Sequence, residues 1–160
     1  MKALVIYDSF YGNTEKIAGE IGRALGAPPQ VTVLKADQVN TDHLVQVDLL
    51  VVGSPTQKFS PLPSITRWLK SIPAGALSGL KVAVFDTRIL ENEINKIPIL
   101  RIFVRLFGYA AEPIAARLKK NGAVLVIPPE GFYITGTEGP LLDGELERAA
   151  EWAKKIIAAQ

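Results

Sequence analysis

The sequence contains no cysteine and a single histidine. The first absence excludes disulfides, thiol nucleophiles and iron–sulfur ligation. The second removes the side chains from which a zinc centre or a Ser-His-Asp triad is usually built. No apolar stretch is long enough to span a bilayer. Met1-Lys2 leads straight into a strand pattern, with no basic-then-apolar leader. An excess of one charge is lacking too: 18 Lys and Arg against 16 Asp and Glu leave a formal +2, which demands no nucleic-acid partner. The expectation is a soluble, cytoplasmic domain.

What the chain does have is apolar content. Hydrophobic residues make up 48% of 160, enough for a sizeable core in one domain spanning residues 1–160. Short, fully apolar runs alternate with helical periods. Strands are expected at 2–7, 31–34, 49–52 and 81–85, and a fifth at 123–127 is interrupted by Pro128-Pro129 and resumes at 132–134. Helices are expected at 14–25, 64–72 and 112–121, and from an Asp143 N-cap to residue 159. Trp68 and Trp152 fall at helical spacing with apolar neighbours and read as packing residues. Apolar strands alternating with helices imply a parallel sheet covered on both faces.

One junction carries the chemistry. The run Ala3-Leu4-Val5-Ile6 feeds the turn Ser9-Phe10-Tyr11-Gly12-Asn13-Thr14, which opens into the helical pattern Glu15-Lys16-Ile17-Ala18. Backbone N–H groups at such a turn, with the helix dipole behind them, suit an anion. Ser9 and Thr14 add hydroxyl donors, and Gly12 permits close backbone approach. The turn has no Lys or Arg, so a phosphate here is held by neutral donors, unlike the lysine-bearing loop of nucleotide triphosphatases. Ligands of open parallel sheets sit beyond the strand carboxyl ends, where strand order reverses. Two other turn-rich segments, 54–63 and 86–91, follow carboxyl ends. The first offers Thr56 and Gln57 for hydrogen bonds and Phe59 as a flat surface; the second offers Asp86 and Thr87. Tyr133 and Thr135, after the fifth strand, either contact a ligand or serve packing.

These segments resemble the flavodoxin family over nearly the whole chain. The 9–14 turn is similar to its phosphate loop, Gly53-Ser54-Pro55-Thr56 to its second flavin loop, and Phe85-Asp86-Thr87-Arg88 to the start of its third. The C-terminal helix with Trp152 looks like the family's last helix. The resemblance implies an α/β, doubly wound, five-stranded parallel sheet in the order 2-1-3-4-5 with helices on both faces. It also implies non-covalent FMN and electron transfer between protein redox partners. The FMN site it implies comprises Ser9, Phe10, Tyr11, Gly12, Asn13, Thr14, Pro55, Thr56, Gln57, Lys58, Phe59, Asp86, Thr87 and Arg88, with no catalytic residue and no metal. Two alternatives stand beside it: a flavin-dependent oxidoreductase acting on a quinone or porphyrinogen-like hydrophobic substrate, and a binding module without flavin.

The chain departs from the family where the ring is gripped. Gln57 stands where many members stack an aromatic residue, and Lys58 where glycine often lets a peptide turn over with the flavin's redox state. No tyrosine follows Asp86-Thr87-Arg88, and the pI near 8.9 contrasts with the family's acidity. Lys58 or Arg88 beside the ring favours a negatively charged reduced flavin, so a less negative low potential is expected.

About twenty residues, roughly 89–108, form an insertion after the fourth strand where a compact connection uses a few. Residues 94–107 are apolar with Lys96, Arg101 and Arg105 interspersed, and Pro98 opens a helix over 99–107. This insertion covers the sheet edge or the flavin, docks a redox partner, or lies on a membrane surface.

Overall fold

Uninterrupted β-branched and apolar residues make β1, Ala3–Tyr7, a strand buried along its whole length. A strand buried on both faces needs cover on both, and the chain supplies it by alternating strands with helices. In the computed structural model, which describes residues 1–160, β1 is followed by α1 (Asn13–Leu25), β2 (Val31–Lys35), β3 (Leu49–Pro55) and α2 (Pro63–Ser71). Then come β4 (Lys81–Ile89), α3 (Glu91–Asn95), α4 (Pro98–Phe107), α5 (Ala111–Lys120), β5 (Val124–Leu125), β6 (Glu130–Ile134) and α6 (Glu145–Ala158). The parallel order is β2-β1-β3-β4-β5, with β6 also paired to β4. The expected doubly wound order is therefore present, with six strands in five positions. β5 pairs with Lys81 and Val82, and β6 with Phe85 through Ile89. Between them Pro128 and Pro129 lack the N–H a ladder requires.

Side chains alternate between the two faces of each strand. Ala3, Val5 and Tyr7, with Leu49, Val51 and Phe85, pack under α1 and α6. Leu4, Ile6, Leu50, Val52 and Val84 pack under α2 and α5. Trp152 and Trp68 are buried in these two layers, as their spacing predicts. Trp152 meets Phe85 and Phe132 edge to face, with centroids 6.1 and 6.0 Å apart. No helix is long and apolar enough to cross a membrane.

Three features depart from the sequence reading. β3 and β4 run on to Pro55 and Ile89, because their ladder continues through Ser54 opposite Asp86 and Pro55 opposite Thr87. Asp86, Thr87 and Arg88 are strand residues rather than the start of a loop. The N-cap of α6 is Gly144, at φ 85, not Asp143. Finally, the insertion holds two helices, α3 and α4. Pro98 opens α4 as expected, but no residue of α4 is buried. Only Leu100 and Val104 of this helix are half-buried, in a space they share with Arg88 and Ile89 of β4.

Candidate functional site

Strand order reverses at β1, with β2 on one side of it and β3 on the other. The turn from β1 into α1 therefore lies at the switch point, outside the carboxyl ends. The Ser9 hydroxyl accepts the Gly12 N–H at 2.9 Å and closes this turn. Gly12 sits at φ 88, a left-handed conformation that any Cβ would strain. The N–H groups of Phe10, Tyr11, Asn13, Thr14 and Glu15 donate to no protein acceptor. Orphan donors are the rule in a helix's first turn; here four of the five belong to residues that line one end of a cleft.

That cleft, about 170 Å³, is lined by Ser9, Phe10, Tyr11, Asn13 and Thr14, by Pro55 at the end of β3 and Thr56, Gln57 and Lys58 of the loop after it, and by Thr87 of β4. Ile89, Ile134 and Thr137, which the sequence did not single out, complete it. Its lining has no carboxylate and one cation, Lys58.

Hydrogen bonds fix the polar wall. The Thr14 and Thr87 hydroxyls are 2.7 Å apart and buried, joining α1 to β4. The Thr56 hydroxyl accepts the Ala110 N–H at 2.9 Å, while the Thr56 N–H donates to the Thr87 carbonyl at 2.9 Å. The Asn13 side-chain amide donates to the Glu138 carbonyl at 2.8 Å. Gly139 packs so tightly there that a Cβ would stand 2.6 Å from Asn13. The segment leading into α6 thus also braces the start of α1. Below the turn, the Tyr7 hydroxyl donates to Glu15 at 2.9 Å. Burial, and then Glu15, pushes the Tyr7 phenol up to about 12.

The opposite wall is organised differently. Gln57 and Ser60 exchange two backbone hydrogen bonds of 2.9 Å, with Lys58 and Phe59 at φ 48 and φ 63 between them. Such a turn normally takes Asn or Gly at these positions. Phe59 stacks on Phe103 at 5.6 Å and leans on Phe107 at 6.3 Å. It thereby lines a second space, a groove of about 650 Å³ between α2, α4 and α5. Lys58 lines both the cleft and the groove.

Asp86 and Arg88 do not line the cleft. The buried Asp86 carboxylate accepts two bonds from Arg88, at 2.6 and 2.7 Å, and one from the Ala111 N–H at 2.9 Å. Burial raises the Asp86 carboxyl above its ordinary range against the pull of Arg88 and the Ala111 amide. Burial works against the Arg88 charge as well, but Asp86 prevails and holds the guanidinium above its ordinary value. Arg88 also lies over the Tyr109 ring, 3.6 Å from its centroid. Of the sequence-predicted residues, Ser9, Phe10, Tyr11, Asn13, Thr14, Thr87 and the segment from Pro55 to Lys58 line one space, with Gly12 in the turn at its edge. Phe59, Asp86 and Arg88 lie beside it.

A sequence model of the flavodoxin family matches residues 5–87. No curated protein sequence matches the chain. Among solved structures, a flavodoxin from the domain Archaea is 21% identical, with a TM-score of 0.74 over 99% of this chain and 97% of that one. Flavodoxin 1 from Bacillus cereus is 20% identical, with a TM-score of 0.73 over 99% and 98%. A flavodoxin, WrbA-like protein from Agrobacterium tumefaciens is 15% identical, with a TM-score of 0.68 over 99% and 96%. At these identities the structural likeness establishes the fold.

Proposed function

The chain belongs to the flavodoxin family, and from that premise we propose that it binds FMN in the switch-point cleft and carries electrons between protein redox partners. The observation behind this reading is the polar wall: free amides at Phe10, Tyr11, Asn13, Thr14 and Glu15, the Ser9 and Thr14 hydroxyls, and no carboxylate in the lining. Such a donor set suits a single phosphate held without a basic residue. FMN supplies reversible electron transfer when bound.

The chain's own residues do the rest. The 9–14 turn holds the phosphate, and the Thr14–Thr87 and Thr56–Ala110 bonds keep that wall in place. Lys58 sets a positive charge at the cleft, which favours negative charge on the ring. The lining offers neither carboxylate nor imidazole for acid–base work, in keeping with a carrier.

A visible spectrum and an FMN titration of the purified protein test the proposal. The expected protein is yellow, quenches flavin fluorescence at one equivalent, and is reduced by NAD(P)H only through a separate reductase. A colourless protein that quenches nothing points instead to a flavin-free binding module. The Phe59-lined groove beside Lys58 favours a second reading, an oxidoreductase acting on a quinone or porphyrinogen-like substrate. Rapid NAD(P)H-to-quinone turnover by the chain alone selects that one.

A further inference from the structure

Helix α4 turns its apolar side outward. Its sequence, Pro98-Ile99-Leu100-Arg101-Ile102-Phe103-Val104-Arg105-Leu106-Phe107, holds no acidic and no neutral polar residue. At about 100° per residue, Leu100 and Val104 share the inner side, where they line a small cleft with Ile94 and Tyr109. Ile99, Ile102 and Leu106 project roughly opposite and are 59, 56 and 69% exposed. A helix at a protein surface ordinarily buries that side, and an exposed apolar ridge marks an interaction site.

Both margins of the ridge are basic. Arg101 and Arg105 flank it on one side and form no ion pair. On the other, beyond Phe103 and Phe107, the groove carries Lys58, Lys70 and Arg117, also unpaired, and no acidic residue in its lining.

We propose that α4 seats this protein on an anionic lipid bilayer. Ile99, Ile102 and Leu106 enter the boundary between headgroups and acyl chains, and the two basic margins meet lipid phosphates. The chemistry of the ridge favours lipid over a protein partner. A specific protein interface carries about one hydrogen bond per 100–200 Å², whereas this ridge offers no hydrogen-bonding side chain and a bilayer core asks for none. No residue of α4 lines the switch-point cleft, so the proposal stands apart from flavin binding. Because Lys58 borders both spaces, the lipid surface would lie beside the second wall of that cleft.

Flotation of the intact protein tests this, using vesicles of phosphatidylcholine alone or mixed with phosphatidylglycerol, at low and high salt. The protein is expected to float with the mixed vesicles, less so at high salt. Leu106→Glu should abolish flotation while leaving circular dichroism and FMN quenching unchanged. The double variant Arg101→Gln, Arg105→Gln should weaken binding to mixed vesicles about thirtyfold. Absence of flotation on either vesicle, or flotation unaffected by Leu106→Glu, overturns the proposal. So does a dimer that Leu106→Glu converts to a monomer in a protein that never floats, which assigns the ridge to self-association.

Discussion

On one wall of the cleft, Ser9 closes on Gly12, Thr14 on Thr87 and Asn13 on Glu138 through hydrogen bonds. On the other, Gln57 and Lys58 belong to a turn whose two central residues, Lys58 and Phe59, both sit at positive φ. Phe59, outside the cleft, stacks on Phe103 and Phe107. Hydrogen bonds are directional and costly to leave unmade, so the first wall is committed to one geometry and suits an anion of fixed size. Apolar stacking tolerates change, so the second wall can vary while the first stays intact. It is on this second wall, at Gln57 and Lys58, that the chain leaves its family's pattern.

The largest effect should come from the ion pair beside the cleft. Asp86→Asn leaves the Arg88 guanidinium buried without its carboxylate and should destabilise the fold by about 3 kcal/mol in urea unfolding. A loss well below about 1 kcal/mol means that the pair does not tie β4 to α5. Thr14→Val should weaken FMN binding roughly 10–100-fold, the cost of a hydrogen bond to a charged group. Phe59→Ala, by contrast, should change FMN affinity little and cost stability instead. Equal losses of affinity in the two variants would erase the distinction between the walls.

Lys58→Gly sharpens it further. Removing one partly exposed charge should make the flavin potential more negative by about 20–40 mV, from an interaction of roughly 0.5–1 kcal/mol. Glycine also relieves the left-handed strain at φ 48, so stability should rise by about 1 kcal/mol. A potential equal to the parent's removes Lys58 from the electrostatics of the site.

The smallest effect concerns Tyr7. Its phenol is held near 12 in the folded protein against 10.0 ordinarily, so between those values the folded state binds more protons than the unfolded. Its contribution to stability is fully present below pH 10.0 and fades as pH rises towards 12. Urea midpoints measured across that window should fall less steeply for Tyr7→Phe than for the parent.

The polar wall was legible in the sequence because it is local: a strand, a turn and a helix start, each with its own period, follow one another from Ala3 to Ala18. Asp86 and Arg88 were misplaced because two charges two residues apart look like a loop. On a strand that spacing puts both on one side, where they pair, with Thr87 and Ile89 on the other; the period-2 pattern was the signal. Thr137 reaches the cleft from a distant segment braced by Gly139, and no local pattern announces that. For α4, Pro98 and the apolar spacing reveal a helix. They do not say which way it faces, since an amphipathic stripe looks the same toward a core or away from it.

The phosphate itself gives the most direct test of the site. Fluorescence titration of the flavin-free protein with FMN and with riboflavin isolates that one group. The polar wall predicts one-to-one quenching by FMN and binding of riboflavin weaker by about 100-fold or more. Equal affinity for the two flavins, or quenching by neither, would contradict it.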